Sequence, residues 1–447
     1  METVNSSGKG LVIIGTQFGD EGKGKIVDFF ASKPYIDAVI RFNGGANAGH
    51  TVVAMGNRYA LHLLPSGLVY GKNSYIGNGV VVDLEQVAKE LTQFPNKKHL
   101  LKISERAQLV LPHHKQLDVF QEQIKGKHSR EAGTTKRGIG PAYTDKVSRF
   151  GVRLGDLWDT QQLEKQINLL ATYYQNFPPK ITQLLEWNYL SPLFSQWRNN
   201  FSEMLVDTGI ELERLFKKGV NVLFEGAQST LLDIDHGIYP FNTSSNCIAA
   251  AASSGTGIGP QYLNERIGVV KAYTSRVGSG PVIGEITDTK NGQKIQKEGK
   301  EYGTSTGRPR RIAWLDLVAL KYACRINGLT GLAITKLDIL GLLDEFEVII
   351  DYQKKRIDHE FPSFPAGVTN LAKIRATTQV LPSWGFFTSE EWMNIFSKGW
   401  QKFPTNFRKF IKMIEKETGV PIVLLSIGPD RQESFELVEL GLGKADS

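Results

Sequence analysis

Short apolar runs recur along the chain, and each ends at glycine or a polar cluster. Leu11-Val12-Ile13-Ile14 runs into Gly15, and Ala38-Val39-Ile40 precedes Asn43-Gly44-Gly45. Val222-Leu223-Phe224 runs into Glu225-Gly226, and Leu332-Ala333-Ile334 precedes Thr335-Lys336. Ile422-Val423-Leu424-Leu425 precedes Ser426-Ile427-Gly428-Pro429. Runs of this kind read as strands buried on both faces of a parallel sheet. Between them lie stretches with helical spacing, such as Trp314 to Ile326 and Asn406 to Glu417. The alternation predicts an α/β fold: a large, mostly parallel central sheet flanked by helices, with functional loops at the carboxyl ends of strands.

The chain has 447 residues. A typical domain of about 150 residues would suggest roughly three domains. No internal repeat and no low-complexity linker divides it, and the prolines at Pro178-Pro179, Pro362 to Pro365 and Pro382 read as turns. One large domain over 1–447 with helical insertions is the expectation. Hydrophobic residues make up 41% and charged residues 22%, which is ordinary globular usage. That excludes a disordered chain and a disulfide-stapled miniprotein.

Lys and Arg number 53 against 46 Asp and Glu, a net charge of +7. Over this length the excess is mild; it suits a site for anionic ligands and also a weak nucleic-acid patch. Of the short basic runs, Lys354-Lys355-Arg356 reads as a solvated face. Arg308-Pro309-Arg310-Arg311 lies in a Gly/Thr-rich loop and is a different matter. The two cysteines, Cys247 and Cys324, form no CxxC pair and read as buried free thiols in a reducing compartment. The start lacks a basic region followed by an apolar one, and no stretch approaches the roughly 18 apolar residues of a membrane span. Cytoplasm is the expected location, with no membrane partner.

The first candidate for chemistry is the loop Gly15-Thr16-Gln17-Phe18-Gly19-Asp20-Glu21-Gly22-Lys23-Gly24-Lys25, after the first strand and before a predicted helix over Ile26 to Phe30. Glycines let backbone N–H groups approach a phosphate, and a helix N-terminus favours its charge. Lys23 supplies a point charge. The run is not a Walker A sequence, which needs glycine where Gln17 stands and Ser or Thr where Gly24 stands. The missing hydroxyl leaves Mg²⁺ in need of another ligand, and Asp20 is the obvious one. A carboxylate in a phosphate loop is costly unless a metal or a proton-transfer role offsets the repulsion. Far downstream, Thr335-Lys336-Leu337-Asp338 ends a predicted strand. An Asp there accepts hydrogen bonds from guanine N1–H and the 2-amino group, a donor pair that adenine lacks. The tetrapeptide is weak alone and gains weight beside a phosphate loop.

Further loops are Asn43-Gly44-Gly45-Ala46-Asn47-Ala48-Gly49-His50-Thr51, which puts a histidine in a glycine-rich turn, and Gly133-Thr134-Thr135-Lys136-Arg137-Gly138-Ile139-Gly140-Pro141-Ala142-Tyr143. Glu225-Gly226-Ala227-Gln228 continues to Leu232-Asp233-Ile234-Asp235-His236-Gly237 and on to Thr243-Ser244-Ser245-Asn246. Taken in this order, the segments resemble the adenylosuccinate synthetase family, GTP-dependent ligases that join IMP and L-aspartate in AMP synthesis. The resemblance runs from Gly15 to Gly428-Pro429-Asp430-Arg431 and includes Val270-Lys271-Ala272-Tyr273, Arg276-Val277-Gly278 and Thr306-Gly307-Arg308.

The resemblance implies a P-loop-like GTP-binding architecture. Residues 1–100 would be the phosphate-loop and catalytic part, 101–220 a mainly helical insertion with an IMP loop, and 221–447 the part binding IMP, aspartate and guanine. Asp20 would be the base that removes the IMP N1 proton. His50 would be its partner acid, with Lys23 and Gln228 also at the reacting centre. GTP would meet Gly19, Glu21, Gly22, Lys23, Gly24, Lys25, Gly49, His50, Thr51, Arg310, Lys336, Asp338, Ser426, Ile427 and Gly428. IMP would meet Asp20, Asn47, Ala48, Thr135, Gln228, Thr243 and Arg308, and Arg149 would reach the IMP phosphate at the neighbouring subunit's site, which implies a homodimer. Aspartate would meet Thr304, Ser305, Thr306, Gly307, Arg308 and Arg310. Asp20 and the backbone carbonyl of Gly49 would hold Mg²⁺.

The chain departs from the family pattern at several loop positions. The family usually has tryptophan at Phe18, glycine at Ser229, threonine at Ser305 and Phe-Pro-Thr-Glu where this chain reads Val282-Ile283-Gly284-Glu285. A branch of the family with a guanylate acceptor lacks the catalytic aspartate; Asp20 is present, which points to IMP. The alternative is a divergent paralogue using a different amine donor or purine acceptor, for which loop 304–310 and Ser229 are the discriminating features. Two further classes fit less well: a guanine-nucleotide-regulated binding protein, which needs no purine base catalyst, and a nucleic-acid binder, for which no RRM, KH or helix-turn-helix pattern exists.

Overall fold

The computed structural model describes residues 8–54, 57–127, 133–303, 307–354, 364–365, 367, 371 and 373–442. A ten-stranded sheet runs through the chain. Its strands are β1 Gly10–Gly15, β2 Ala38–Arg41, β3 Asn73–Ile76, β4 Leu101–Ser104, β5 Leu205–Val206, β6 Val222–Ser229, β7 Glu265–Lys271, β8 Gly331–Thr335, β9 Ile422–Ser426 and β10 Ser434–Glu436. The spatial order is β10-β9-β8-β7-β1-β6-β2-β3-β4-β5. β6–β2, β2–β3, β3–β4, β4–β5, β7–β8 and β8–β9 pair in parallel, and β9–β10 is antiparallel. The apolar runs read from sequence are the centres of β1, β2, β6, β8 and β9, and every residue of β1, β2, β8 and β9 is buried. This is the α/β architecture expected.

The chain divides into two compact units. One comprises Met1–Val12, Phe30–Ala227 and Thr243–Asn264; the other comprises Ile13–Phe29, Gln228–Asn242 and Glu265–Ser447. In the first, α4 Thr160–Tyr174 buries Leu163, Ile167, Leu170 and Tyr174, and α5 Trp187–Phe201 buries Leu190, Phe194, Trp197 and Phe201. Both sets recur at three or four residues, so one stripe of each helix faces a shared core. The segment 101–220 is mainly helical but also supplies strands β4 and β5 to the sheet.

Also in the first unit, α2 Pro112–Gly126 and α3 Ile139–Ser148 are tied through Asp145. Its Oδ2 accepts from His114 Nε2 at 2.9 Å and its Oδ1 from the Tyr174 hydroxyl at 2.6 Å. The Leu111 N–H donates to His114 Nδ1 at 2.9 Å, which places the ring proton on Nε2. His113 stands beside them with its pKa pushed down to about 3 by burial and by His114. A metal at His114 Nε2 would require an imidazolate, so this His-His-Asp group is a structural tie.

Helix bounds differ from the sequence reading, for local reasons. The helix after the phosphate loop is α1, Lys23–Ala31; it starts before Ile26 because Gly22, at φ +84°, turns the chain and its carbonyl accepts from Lys25 and Ile26. The stretch from Trp314 becomes helical only at Leu317, as α6 Leu317–Asn327, because Leu315–Asp316 pair with Val348–Ile349 and Asp316 caps the helix through Ala319 N. The last long helix, α7, is Thr405–Thr418 and stops at Gly419, φ +69°. His50 is not in a turn: it opens the strand His50–Ala54, paired with Asn57–Leu61. Both cysteines are buried and neither is in a disulfide. Lys355 and Arg356 lie outside the described residues, and among those described no helix is long and apolar enough to cross a membrane.

Candidate active site

The phosphate loop closes around its own glutamate. Glu21 is fully buried, and its Oε1 accepts from Gln17 N (3.1 Å), Gly19 N (2.9 Å) and the Ser229 hydroxyl (2.5 Å). Its Oε2 lies 2.6 Å from Lys23 Nζ. Burial alone would raise the Glu21 carboxyl; the Lys23 charge and the hydrogen bonds outweigh it and hold the group below the usual carboxylate range. Gly15 is required here, since a Cβ would sit 2.1 Å from Ser229 Oγ and 2.7 Å from Lys23 Nζ. Gln17, where a Walker A loop has glycine, ties the loop to the next strand instead, donating to Tyr273 O at 3.0 Å and accepting from Lys271 N at 3.0 Å.

Asp20 faces the other way. It takes φ +57° and its side chain is 43% exposed. Its Oδ2 lies 2.8 Å from Arg310. Arg310 in turn holds Glu301 Oε2 at 2.8 Å, and Glu301 Oε1 accepts from Lys271 Nζ (2.8 Å) and the Tyr273 hydroxyl (2.6 Å). Burial pushes the Glu301 carboxyl up, but Lys271, Tyr273 and Arg310 outweigh it and bring it down to about 2. Arg310 is thus a buried link between Asp20 and an ionic cluster. The segment around Glu301 carries no motif. The available signal was Lys271 ending a buried strand: a cation there demands a carboxylate partner.

The Thr335–Asp338 segment meets the phosphate loop directly. The Thr335 hydroxyl donates to Glu21 O at 2.6 Å, across 314 residues of sequence. Lys336 follows at φ +62°, with Nζ on Gly299 O at 3.0 Å. Asp338 keeps a buried Oδ1 without a hydrogen-bond partner, and burial holds its carboxyl above the usual range. Lys25 Nζ donates to Ile427 O (2.6 Å), Gly428 O (3.1 Å) and Glu433 O (3.0 Å), so it pins the loop after Ser426; burial brings its pKa down to about 8. Gln228 takes φ +56° and leaves its Oε1 buried without a partner. Phe18 lies under the Arg276 guanidinium at 4.7 Å and lines one apolar pocket with Val282 and Ile283, so two of the departures from the family pattern meet. Thr304, Ser305 and Thr306 lie outside the described residues; Gly307 has φ +65° and Arg308 is exposed.

The remaining candidates belong to the first unit. Asn43 clamps the strand carrying Glu225, exchanging hydrogen bonds with Ala227 at 2.8 and 3.1 Å. Asn47 has a buried Oδ1 with no partner; Ala48 is half-buried and closes a turn on Gly45 O, and Gly49 is exposed. The side chains of His50 and Thr51 lie outside the described ones. Thr135 is exposed in a loop shaped by Asp118, which accepts from Thr134 Oγ1 (2.8 Å) and Gly138 N (3.0 Å). Arg149 is exposed and caps α3 at φ +67°. Thr243 is half-buried.

Among the described residues, six non-glycines have positive φ: Asp20, Lys136, Arg149, Gln228, Lys300 and Lys336. Four are candidate site residues, and the other two adjoin Thr135 and Glu301. Each such conformation costs on the order of 1–3 kcal/mol and persists where surroundings impose it, typically at functional sites.

Comparison with known proteins agrees. The family model described as adenylosuccinate synthetase matches residues 12–435. The chain belongs to the adenylosuccinate synthetase family. Adenylosuccinate synthetases of Carboxydothermus hydrogenoformans (44% identical, 96% of this chain and 98% of that one) and Heliobacterium modesticaldum (41%; 96% and 99%) are similar along nearly their whole length. The fully ligated Plasmodium falciparum adenylosuccinate synthetase superposes with a TM-score of 0.85 at 35% identity, covering 96% of this chain and all of that one. A cyanophage succinoaminodeoxyadenylate synthetase bound to dGMP and dATP shares the fold, with a TM-score of 0.61 at 17% identity over 96% of each chain. The adenylosuccinate synthetase family comprises GTP-dependent ligases of purine biosynthesis that join IMP and L-aspartate, and this chain is a ligase of that family.

Proposed function

We propose that Asp20 is the base of this chain's ligation, working from a phosphate loop whose other carboxylate is already engaged. Both oxygens of Glu21 are occupied inside the loop, while Asp20 is partly exposed and faces Arg310. That contrast carries the assignment. Asp20 takes the N1 proton of IMP, which raises electron density on O6. O6 attacks the γ-phosphorus of GTP, the bond to the β–γ bridging oxygen breaks, and GDP leaves. In the resulting 6-phosphoryl-IMP a poor leaving group has become a good one. The amine of L-aspartate then attacks C6, phosphate departs with the C6–O bond, and the amine loses a proton, giving adenylosuccinate. Phosphoryl transfer mainly needs positioning and charge neutralisation, supplied by Lys23, the loop N–H groups and His50.

Asp338 and Lys336 hold guanine, with Ser426, Ile427 and Gly428 beside it; the unpartnered Asp338 oxygen is the acceptor that guanine donors satisfy. Asn47, Ala48, Thr135, Gln228, Thr243 and Arg308 hold IMP, and the unpartnered oxygens of Asn47 and Gln228 support this. Arg149, presented by a strained helix cap, reaches the IMP phosphate at the neighbouring subunit's site in a homodimer. The loop over residues 304–310 takes L-aspartate, with Arg310 on a carboxylate. The Asp20 carboxylate and the Gly49 carbonyl are hard oxygen donors of the kind Mg²⁺ prefers. When bound, Mg²⁺ neutralises charge on the transferring phosphoryl group. The enzyme works in the cytoplasm.

Mass spectrometry after mixing pure protein with Mg²⁺, GTP, IMP and L-aspartate tests this. Adenylosuccinate, GDP and phosphate in equal amounts are expected. GTP consumption without adenylosuccinate would replace the reading with a paralogue using another amine or purine.

A further inference from the structure

Ser229 ends β6, and its side chain is fully buried. A hydroxyl has one proton to donate and two lone pairs to accept with. Here all three are used, and all on the phosphate loop. The hydroxyl donates to Glu21 Oε1 at 2.5 Å and accepts from Lys23 Nζ and from Gly19 N–H, both at 3.1 Å. No hydrogen-bonding capacity remains for a purine, although Gln228 next to it keeps an unpartnered oxygen. Gly15 completes the fit, because any side chain there would collide with Ser229 Oγ.

We propose that Ser229 is a positioning residue for the phosphates of GTP: it fixes the Lys23 ammonium, which keeps a third N–H to donate, before nucleotide arrives. With glycine at this position, Lys23 would be tethered through Glu21 alone and the Gly19 N–H would keep only its bond to Glu21. A lysine side chain is flexible, so a second tether removes freedom that binding would otherwise have to remove. The inference rests on GTP being the phosphoryl donor.

The test is calorimetric titration of Mg²⁺–GTP into wild type, Ser229→Ala and Ser229→Gly, with steady-state kinetics beside it. Both variants should bind GTP about three- to tenfold more weakly, an indirect effect the size of one ordinary hydrogen bond. KM for IMP and L-aspartate should stay within about twofold of wild type. In a Lys23→Met background, Ser229→Ala should add little, because its partner is gone. Folded variants, checked by thermal melting, that bind GTP like wild type overturn the positioning role. So does a change that falls mainly on KM for IMP. A wild type that binds no GTP overturns the underlying reaction as well, which separates the two failures.

Discussion

In the unit that carries the phosphate loop, charges are partnered before any ligand arrives. Lys23 has Glu21 and Ser229, Lys25 has three carbonyls, and Arg310 sits between Asp20 and Glu301. In the other unit, Arg149 and Thr135 are exposed, and the bonds lie beneath them, in the scaffold of Asp118 and Asp145. The difference follows from burial. A buried charge without a partner costs several kcal/mol, so the side with the buried cations must be self-neutralised. An exposed guanidinium remains hydrated until a phosphate replaces the water. Single buried acceptors without partners, on Asp338, Gln228 and Asn47, break the pattern, and each is a candidate recognition atom.

The sharpest test of this contrast is Asp20→Asn, which leaves the inner loop network intact. Turnover should fall about 10²–10⁴-fold, while GTP titration gives near wild-type affinity; retained turnover removes Asp20 as the base. Next, Glu301→Ala leaves Lys271 and Arg310 buried without their carboxylate. Denaturant unfolding at pH 7 should show a loss of about 3–5 kcal/mol. Because the Glu301 carboxyl is held near 2, below its unfolded value, its contribution is present above about pH 4.5. The difference from wild type should shrink as pH falls towards 2, and a loss independent of pH would point to packing alone.

Asp338→Asn should weaken selectivity for GTP by on the order of 2–4 kcal/mol, read as competition among GTP, ATP and XTP. An unchanged preference for GTP sinks the guanine assignment. On the exposed side, Arg149→Ala should raise KM for IMP roughly 10–100-fold without shifting the melting temperature. A stability loss with unchanged KM would make Arg149 a scaffold residue. The smallest effect concerns Asp316, a buried carboxyl whose partners are a hydroxyl and an amide, not a cation. Burial pushes its pKa up to about 6, above the unfolded value, so wild-type stability should decline as pH rises from about 4 to 6. Asp316→Asn should flatten that decline and gain about 1–3 kcal/mol at pH 7; a variant with the same pH slope as wild type contradicts the shift.

Much of this was legible in the chain because it is local. The phosphate loop announces itself within a dozen positions, and the strands read as uninterrupted apolar runs since both their faces are covered. Thr335-Lys336-Leu337-Asp338 was ambiguous alone and gained meaning beside the loop; the Thr335–Glu21 hydrogen bond shows why they belong together. Glu301 was not legible. Nothing around Lys300-Glu301-Tyr302 marks it, and its importance comes from Lys271 and Arg310 converging on it from other segments. The glycines before His50 suggest a turn, but antiparallel pairing with Asn57–Leu61 draws it into a strand.

Local sequence is enough to mark five central strands, the glycine turns and the residue types of the candidate site. Those depend on apolar periodicity and on backbone freedom within a few residues. Which carboxylate of the loop is engaged and which is open depends on contacts made only in the folded chain. Glu21 and Asp20 are neighbours with the same chemistry, and they differ because Ser229 and Lys23 fold onto one while Arg310 meets the other. That choice rests on hydrogen bonds between segments far apart in the chain, which no local pattern encodes.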